Sequence, residues 1–455
     1  LSAIPEGPLL SFGRPGQAPL VEWEEHYRLR DEKISAALGT RLIPEIADLI
    51  DVAVAVFVTD RLTRRRPRRR RDDGTYWHRR LRAEIAVRNP ERWKEPELYG
   101  ALQELLAWMT DDDWEISFVG GGPRLSRNSE TQGTLFDEPL RAPASAGLLS
   151  GGLDSLLGAA ADLEGEGELL LVSTTTHPKL GGLQRVLSEK LAEVRPRQVR
   201  WLGVPINLTA AGKKLVSGPQ EGSARTRAFV FLALGAAAAL SGGCHELRVY
   251  ENGPGALNLA LTPGQQGAMN TRAMRPETLK MMGRLIEMAT GSKFSIANPN
   301  MWKTKAQMCA EAGPELDDAI GMSRSCDTAL TGRRPSDAPC GCCTSCVLRR
   351  QALLAAGRKD LDRLDVELIG GDSFQAQASG IVENALRLML GQVHQISLCL
   401  QGEDPWGRLV RDWPDLVGAR QALGVGPDAM AELLGRYCEE WRGLKSPVVG
   451  RLLAA

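Results

Sequence analysis

Residues 144–163 read ASAGLLSGGLDSLLGAAADL. A short apolar run, AGLLS at 146–150, gives way to Ser150-Gly151-Gly152-Leu153-Asp154-Ser155, and helical character resumes from Leu153. Adjacent glycines suit neither a strand interior nor a helix interior, because glycine loses the most backbone freedom on ordering. They suit a tight turn whose N–H groups must approach an oxyanion with no Cβ in the way. At the start of a helix with no other evident cap, the freed N–H groups, the positive end of the helix dipole and two serine hydroxyls form an anion cradle. The plainer alternative is a Gly-Gly turn that merely joins strand to helix. The six positions, met in strand–loop–helix context, favour a phosphate chain. Asp154 would repel phosphate unless it holds Mg2+ or caps the loop, so the ligand expected here is a metal–nucleotide complex.

The rival phosphate motifs fail. NLTAAGKKL at 207–215 has Asn207 where a Walker loop needs its first glycine, and Lys214 where it needs Ser or Thr. No G-x-G-x-x-G follows a strand candidate.

Outward from the loop, strands and helices alternate. GELLLVSTTT, RQVRWLGVPI and ELRVYENG read as strands, and GGLQRVLSEKLAEV and TRAFVFLALGAAAALSG as helices. Short apolar strands separated by helices predict a parallel sheet covered on both faces, with ligands along the strand ends. The expected class is therefore α/β, with a central domain over 146–360. Residues 1–140 read as a small α+β accessory domain, with strand candidates at AEIAV and WEISFVG and a helix through PELYGALQELLAWM. A Gly-, Pro- and Ser-rich linker is expected at 121–145, and residues 367–455 show only helical periodicity.

Composition excludes several classes. A chain of 455 residues holds roughly two or three domains. It carries 56 basic and 56 acidic residues, so no global field draws it to nucleic acid or membrane. The most apolar window, residues 42–60, is broken by Glu45, Asp48 and Asp51, short of the roughly 20 apolar residues a span needs. It reads as a buried, amphipathic helix. With no basic or apolar leader at its start, the chain is expected to be cytoplasmic.

Five of the nine cysteines fall between positions 326 and 346. In such a chain that clustering points to metal rather than disulfides. Cys340, Cys343 and Cys346 have C-x2-C-x2-C spacing, and Cys326 would complete a tetrahedral site of four sulfurs for Zn2+. Cys343 and Cys346 would lie one turn apart at a helix start, where the dipole, Arg349 and Arg350 favour thiolates. A [4Fe–4S] cluster shares the spacing, but the C-x3-C-P ending of ferredoxins is missing. Zinc is the favoured reading.

SGGLDS resembles the signature of the PP-loop ATP pyrophosphatases, which cleave ATP between the α and β phosphates to adenylate an oxygen. Adding Cys326, Cys340-Gly341, Cys343, Cys346 and Arg349, in the pattern C…C-G-x-C-x-x-C-x-x-R, the chain resembles the QueC family, 7-cyano-7-deazaguanine synthase. The resemblance covers 146 to about 357 and implies a Rossmann-like fold of the adenine nucleotide alpha hydrolase type. MWKTKAQMCAEAG places Lys305 at the family's lysine, and RTRAFVFLALGAAAA places Arg227 at its arginine. The resemblance implies ATP and Mg2+ held by residues 150–155 and Arg227, catalysis through Ser150, Asp154 and Lys305, and substrate contacts from Glu251, Asn252 and Arg349. In that family ATP adenylates the carboxylate of 7-carboxy-7-deazaguanine, ammonia gives the amide, and a second ATP yields the nitrile. Two departures stand out. ENGPGALNLALTPGQQGAMNTRAMRP replaces the family's G-x-N…Y-P-D-C-R segment, and terminal regions are added. Such extended chains resemble those of bacterial anti-phage defence operons, which implies a redirected chemistry and a macromolecular acceptor, expected to be a protein.

Single residues leave alternatives open. Glu251 and Asn252 end a strand where substrate contacts belong, yet ENGPG is also a turn. Lys305 would neutralise leaving pyrophosphate, or simply be solvated at a helix start. Arg227 opens an apolar helix and would point its charge at the phosphate edge. His177 and the pair Cys244–His245 lack the surroundings of a base or nucleophile. RLTRRRPRRRR at 61–71 would grip nucleic-acid phosphate or form a mobile, solvated loop. Two rival functions follow: a tRNA-modifying PP-loop enzyme of thiolase type holding a cluster, and a defence subunit that senses ATP without turning it over.

Overall fold

The computed structural model describes residues 6–12, 20–21, 26–65, 78–121, 142–194, 199–208, 220–223, 225–327, 338–362, 364–366, 368–369 and 384–444. Most of the expected linker at 121–145, and the arginine run beyond Arg65, lie outside them. In chain order the strands are β1 (Glu6–Phe12), β2 (Leu20–Val21), β3 (Arg28–Leu29), β4 (Arg80–Val87), β5 (Asp113–Gly120), β6 (Ser145–Leu148), β7 (Leu169–Thr175), β8 (Val199–Asn207), β9 (Glu246–Arg248) and β10 (Ser295–Ala297).

The larger sheet has the order β10-β9-β6-β7-β8-β3, parallel throughout except where β3 pairs with β8. Its middle strand β7 begins with the unbroken run Leu169-Leu170-Leu171-Val172, as a strand covered on both faces should. Leu170 and Val172 pack with Phe229 and Leu234 of the helix Arg227–Ser241. Leu169 and Leu171 pack on the other side, with Leu156 of Leu153–Asp162 and Leu187 of Pro178–Val194. The expected parallel α/β sheet is therefore present, with the loop after β6 at its carboxyl edge. The three residues of β10 and the two of β3 are too short to carry a readable pattern.

The smaller sheet has the order β2-β1-β4-β5, and every pair in it is parallel. The N-terminal region is thus a second α/β layer and not the α+β unit expected. Helix Pro96–Thr110 crosses from β4 to β5, which is what parallel pairing of consecutive strands requires. Helix Pro44–Leu62 is buried on nearly its whole circumference, not amphipathic as expected. Its three aspartates are neutralised inside, while Glu45 at its start stays exposed: Asp48 and Asp51 pair with Arg88 at 2.9 and 2.7 Å, and Asp60 with Arg79 at 2.6 Å. One apolar core runs from Leu10 and Ile85 through Ile50 and Phe57 to Phe229 and Leu285, joining the two sheets.

The C-terminal region is helical as expected, with Asn384–Leu400, Pro405–Asp412, Leu416–Leu423 and Pro427–Arg442 around a separate core. That core takes in Leu257, Leu259 and Val347, so the helices sit against the segment after β9. Among the described residues no helix is long and apolar enough to cross a membrane.

Candidate active site and cysteine cluster

The loop after β6 turns through Gly151 at φ +93°, a conformation that favours glycine, and enters the helix Leu153–Asp162. No side chain of the loop caps that helix. The Ser150 N–H donates to Ser155 Oγ at 3.1 Å, and the two hydroxyl oxygens lie 2.9 Å apart. The Gly152 N–H donates to Ser150 Oγ at 3.3 Å. The loop is thereby pre-shaped around its own serines.

Asp154 occupies the first turn of this helix. Its Oδ2 lies 2.7 Å from the Lys305 Nζ, and its carboxyl shares a hydrogen bond with Glu251, while no N–H or hydroxyl donor reaches its buried Oδ1. Lys305 opens the helix Lys305–Glu311, whose start is fixed by a capping box between Thr304 and Gln307. Burial disfavours the ammonium, but Asp154 and Glu251 outweigh it and hold Lys305 above its ordinary value. Glu251 faces the same pair from the end of β9. Burial, with the Asp154 charge beside it, pushes its carboxyl well above the usual range, against the pull of Lys305. Asn252 is buried; it donates to Glu251 Oε1 at 2.8 Å and its own Oδ1 caps Gly255.

These groups line one cavity of about 690 Å3, within the range of ligand pockets. Ser150, Asp154, Ser155, Arg227, Glu251 and Lys305 all line it. Asn252 supports Glu251 from behind. Arg324 and Ser325 were missed by sequence reasoning. The Arg324 N–H donates to Gly151 O at 2.9 Å, and Ser325 Oγ accepts from the Leu153 N–H at 3.3 Å. Their one signal was position, polar residues just before the first clustered cysteine.

Arg349 is a correction. It is fully buried outside the cavity, donating to Asp362 Oδ1, Ser323 Oγ and Ile320 O at 3.0, 2.7 and 2.7 Å. It cross-links segments and does not face a substrate. Nor does it or Arg350 favour the thiolates, since Arg350 donates to the carbonyls of Ile369 and Lys359. His177 accepts from the Lys179 N–H, and Cys244 and His245 lie at the opposite end of β9.

The sulfurs of Cys326, Cys340, Cys343 and Cys346 all lie within 4.8 Å of one another. The Cys340–Cys346 separation is 3.9 Å, against the roughly 3.8 Å edge of a tetrahedron with Zn–S bonds of about 2.3 Å. N–H groups of Cys340 and Cys343 donate to Cys326 Sγ and Cys340 Sγ, each at 3.3 Å. A hydrogen bond from Cys346 holds the Cys343 thiol down to about 6, and burial pushes Cys340 up to about 12. Gly341 makes the knuckle turn at φ +79°, where a Cβ would strike Val366 O. The four cysteines fit a metal ion, and Cys342 stands outside them.

Residues 272–357 match the family model of QueC, the queuosine biosynthesis protein. Over that segment the chain is QueC-like. The matched segment holds Lys305 and all four clustered cysteines, and the Lys305–Asp154 contact sets it against the loop at 150–155. No curated protein matches the chain. A QueC-like domain of PP-loop, ATP-using type with a metal-binding cysteine set is the coarse identity that these findings support.

Proposed function

We propose that this chain adenylates a carboxylate of the 7-carboxy-7-deazaguanine type, releases pyrophosphate and AMP, and joins the acyl group to nitrogen. The observation that carries the reading is the convergence of Asp154, Lys305 and Glu251 on the strand–loop–helix turn in a single cavity. A substrate carboxylate oxygen attacks the α-phosphorus of ATP, the α–β bridge breaks, and pyrophosphate leaves. An amine then attacks the acyl carbon, AMP leaves and the nitrogen loses its proton.

Each residue has a part. The loop N–H groups and the dipole of Leu153–Asp162 receive phosphate oxygens. Lys305 supplies positive charge as pyrophosphate departs, and Arg227 adds another at the cavity wall. Asp154 is the residue whose carboxylate would hold Mg2+, and an ion there would screen phosphate charge. Zn2+ in the four-cysteine set is structural. The amine is ammonia or a macromolecular one, and a protein acceptor is favoured over nucleic acid. Within the arginine run, Arg65 pairs with Asp112 at 2.7 Å and Arg61 donates to Gln220 Oε1 at 2.8 Å, leaving less of it for phosphates. A role in anti-phage defence rests on the likeness to extended QueC-like chains and is tested by plating phage on cells with and without the Asp154→Ala variant.

Supplying ATP, Mg2+, ammonia and 7-carboxy-7-deazaguanine should give AMP and pyrophosphate. Asp154→Ala should lower AMP release by about 100-fold or more with the fold intact. Wild-type turnover in that variant would sink the assignment. RNA-dependent AMP release would favour the tRNA-modifying reading, and tight ATP binding without AMP a sensor. Efficient release of the free nitrile from ATP and ammonia alone would overturn the macromolecular acceptor.

A further inference from the structure

The cavity is wider than the phosphate cradle, and the strand order explains why. β7 lies on one side of β6 and β9 on the other, so the loop after β6 opens between two flanks. On the β7 side the wall is Thr176, Leu180 and Phe231, all from the doubly wound layer. On the β9 side it continues past Glu251 to Leu259 and Leu261, and is closed by Met389, Ile396 and Leu434 of the C-terminal helices. Those helices lie outside the segment that matches QueC.

One polar group is built into this aliphatic wall. Gln392 is 8% exposed, and its Nε2 donates to Leu259 O at 2.8 Å and Ala260 O at 3.3 Å. Two backbone carbonyls thus settle which end of the amide is the nitrogen. The Oε1 is left with no protein donor among the described residues, in a side chain that lines the cavity. A fixed acceptor in a buried wall discriminates strongly, because a ligand without the matching donor leaves it unpaired.

We propose that the β9-side lobe, closed by the C-terminal helices, holds the non-nucleotide substrate, and that Gln392 Oε1 accepts a hydrogen bond from an N–H of its ring. The ligand class is a planar heterocycle with an N–H at one end and a carboxylate at the other. The aliphatic side chains cover its faces, and the carboxylate reaches toward the phosphate loop. The ligand class and its orientation rest on the adenylation reading above; that the lobe takes a ligand bonded to Gln392 Oε1 does not.

Calorimetry on the full chain tests it, with 7-carboxy-7-deazaguanine, its ring-N-methylated analogue and a non-hydrolysable ATP analogue as probes. Leu261→Trp, a partly buried loop residue, should weaken the heterocycle at least tenfold and the nucleotide less than twofold. Gln392→Met should cost about tenfold for the heterocycle. Methylating the ring N–H should cost the wild type a similar factor and the variant nothing further. Equal binding of both heterocycles by wild type overturns the role of Gln392 even if Gln392→Met does not fold. Loss of nucleotide affinity in Leu261→Trp would put adenine in the lobe and overturn the proposal. Failure of wild type to bind the heterocycle overturns the ligand class. Binding in the lobe without AMP formation would instead count against adenylation and leave the lobe standing.

Discussion

At the residue scale, the contrast between Lys305 and Arg349 separates chemistry from structure. Both are buried cations, but Lys305 meets Asp154 inside the cavity while Arg349 meets Asp362 outside it. Lys305→Ala would leave Asp154 facing Glu251 with no cation between them. AMP formation should fall by about 100-fold or more in whatever fraction folds, measured as pyrophosphate release. Arg349→Ala breaks a buried ion pair and strands Asp362, at a cost of about 3–5 kcal/mol seen in denaturant unfolding. The KM for ATP should stay put in whatever fraction folds. A raised KM at unchanged stability would return Arg349 to the substrate site. The same contrast marks what could be read from sequence. SGGLDS and the cysteine spacing are local patterns whose chemistry follows from adjacency. Arg349 lay at a fixed offset from Cys346, yet its partners Ser323 and Asp362 lie elsewhere in the chain, and only the fold reveals them. Arg324 and Ser325 escaped for the same reason, since their partners Gly151 and Leu153 lie far away in the chain, the latter 172 residues from Ser325.

At the scale of elements, the cysteine knuckle and the phosphate loop are mechanically joined. Arg324 and Ser325 bond to Gly151 and Leu153, and the next residue is Cys326. Purified protein should contain about one zinc per chain and be colourless, whereas a brown preparation absorbing near 400 nm would favour an iron–sulfur cluster. Because the metal fixes Cys326, stripping it with a chelator should weaken ATP binding at least fivefold by calorimetry. Asp154→Ala should keep its zinc. Unchanged ATP affinity in the stripped protein would uncouple the two elements. The strands and helices around the loop were legible because their apolar runs differ in length and period. The two-residue β3 and three-residue β10 were not, since pairing, and not pattern, makes them strands. Helix Pro44–Leu62 was half read. Its burial was legible but its supposed polar face was not, because Arg79 and Arg88 reach its aspartates from the two ends of β4.

At the scale of the whole molecule, the N-terminal layer and the larger sheet share one apolar core. The apolar core passes without interruption from β4 through Pro44–Leu62 to the helix Arg227–Ser241. Asp60 makes the join polar as well as apolar. It pairs with Arg79, and its Oδ2 accepts from both the N–H and the hydroxyl of Thr226, at 3.1 and 2.9 Å. Thr226 precedes the helix whose first residue, Arg227, lines the nucleotide cavity. Burial would raise the Asp60 carboxyl, but Arg79 and Arg65 hold it below its ordinary value, so its contribution to stability is present above the unfolded pKa and lost as pH falls through the folded one. Removing residues 1–121 would strip all of this at once. A fully buried Val, Leu, Ile or Phe is worth roughly 1.5–3 kcal/mol, so losing contacts to Ile50, Val54 and Phe57 alone approaches the roughly 5–15 kcal/mol that stabilises a whole domain. The fragment 142–455 should therefore be insoluble or bind ATP at least tenfold more weakly, even though it holds the loop at 150–155 and all four clustered cysteines. Asp60→Asn in the full chain is the milder test. It keeps the shape but removes the charge that faces Arg79, and it should lower the unfolding midpoint and flatten the acid limb of stability against pH. A soluble 142–455 fragment with full-length ATP affinity would mean that the N-terminal layer only rests on the nucleotide layer and does not complete it.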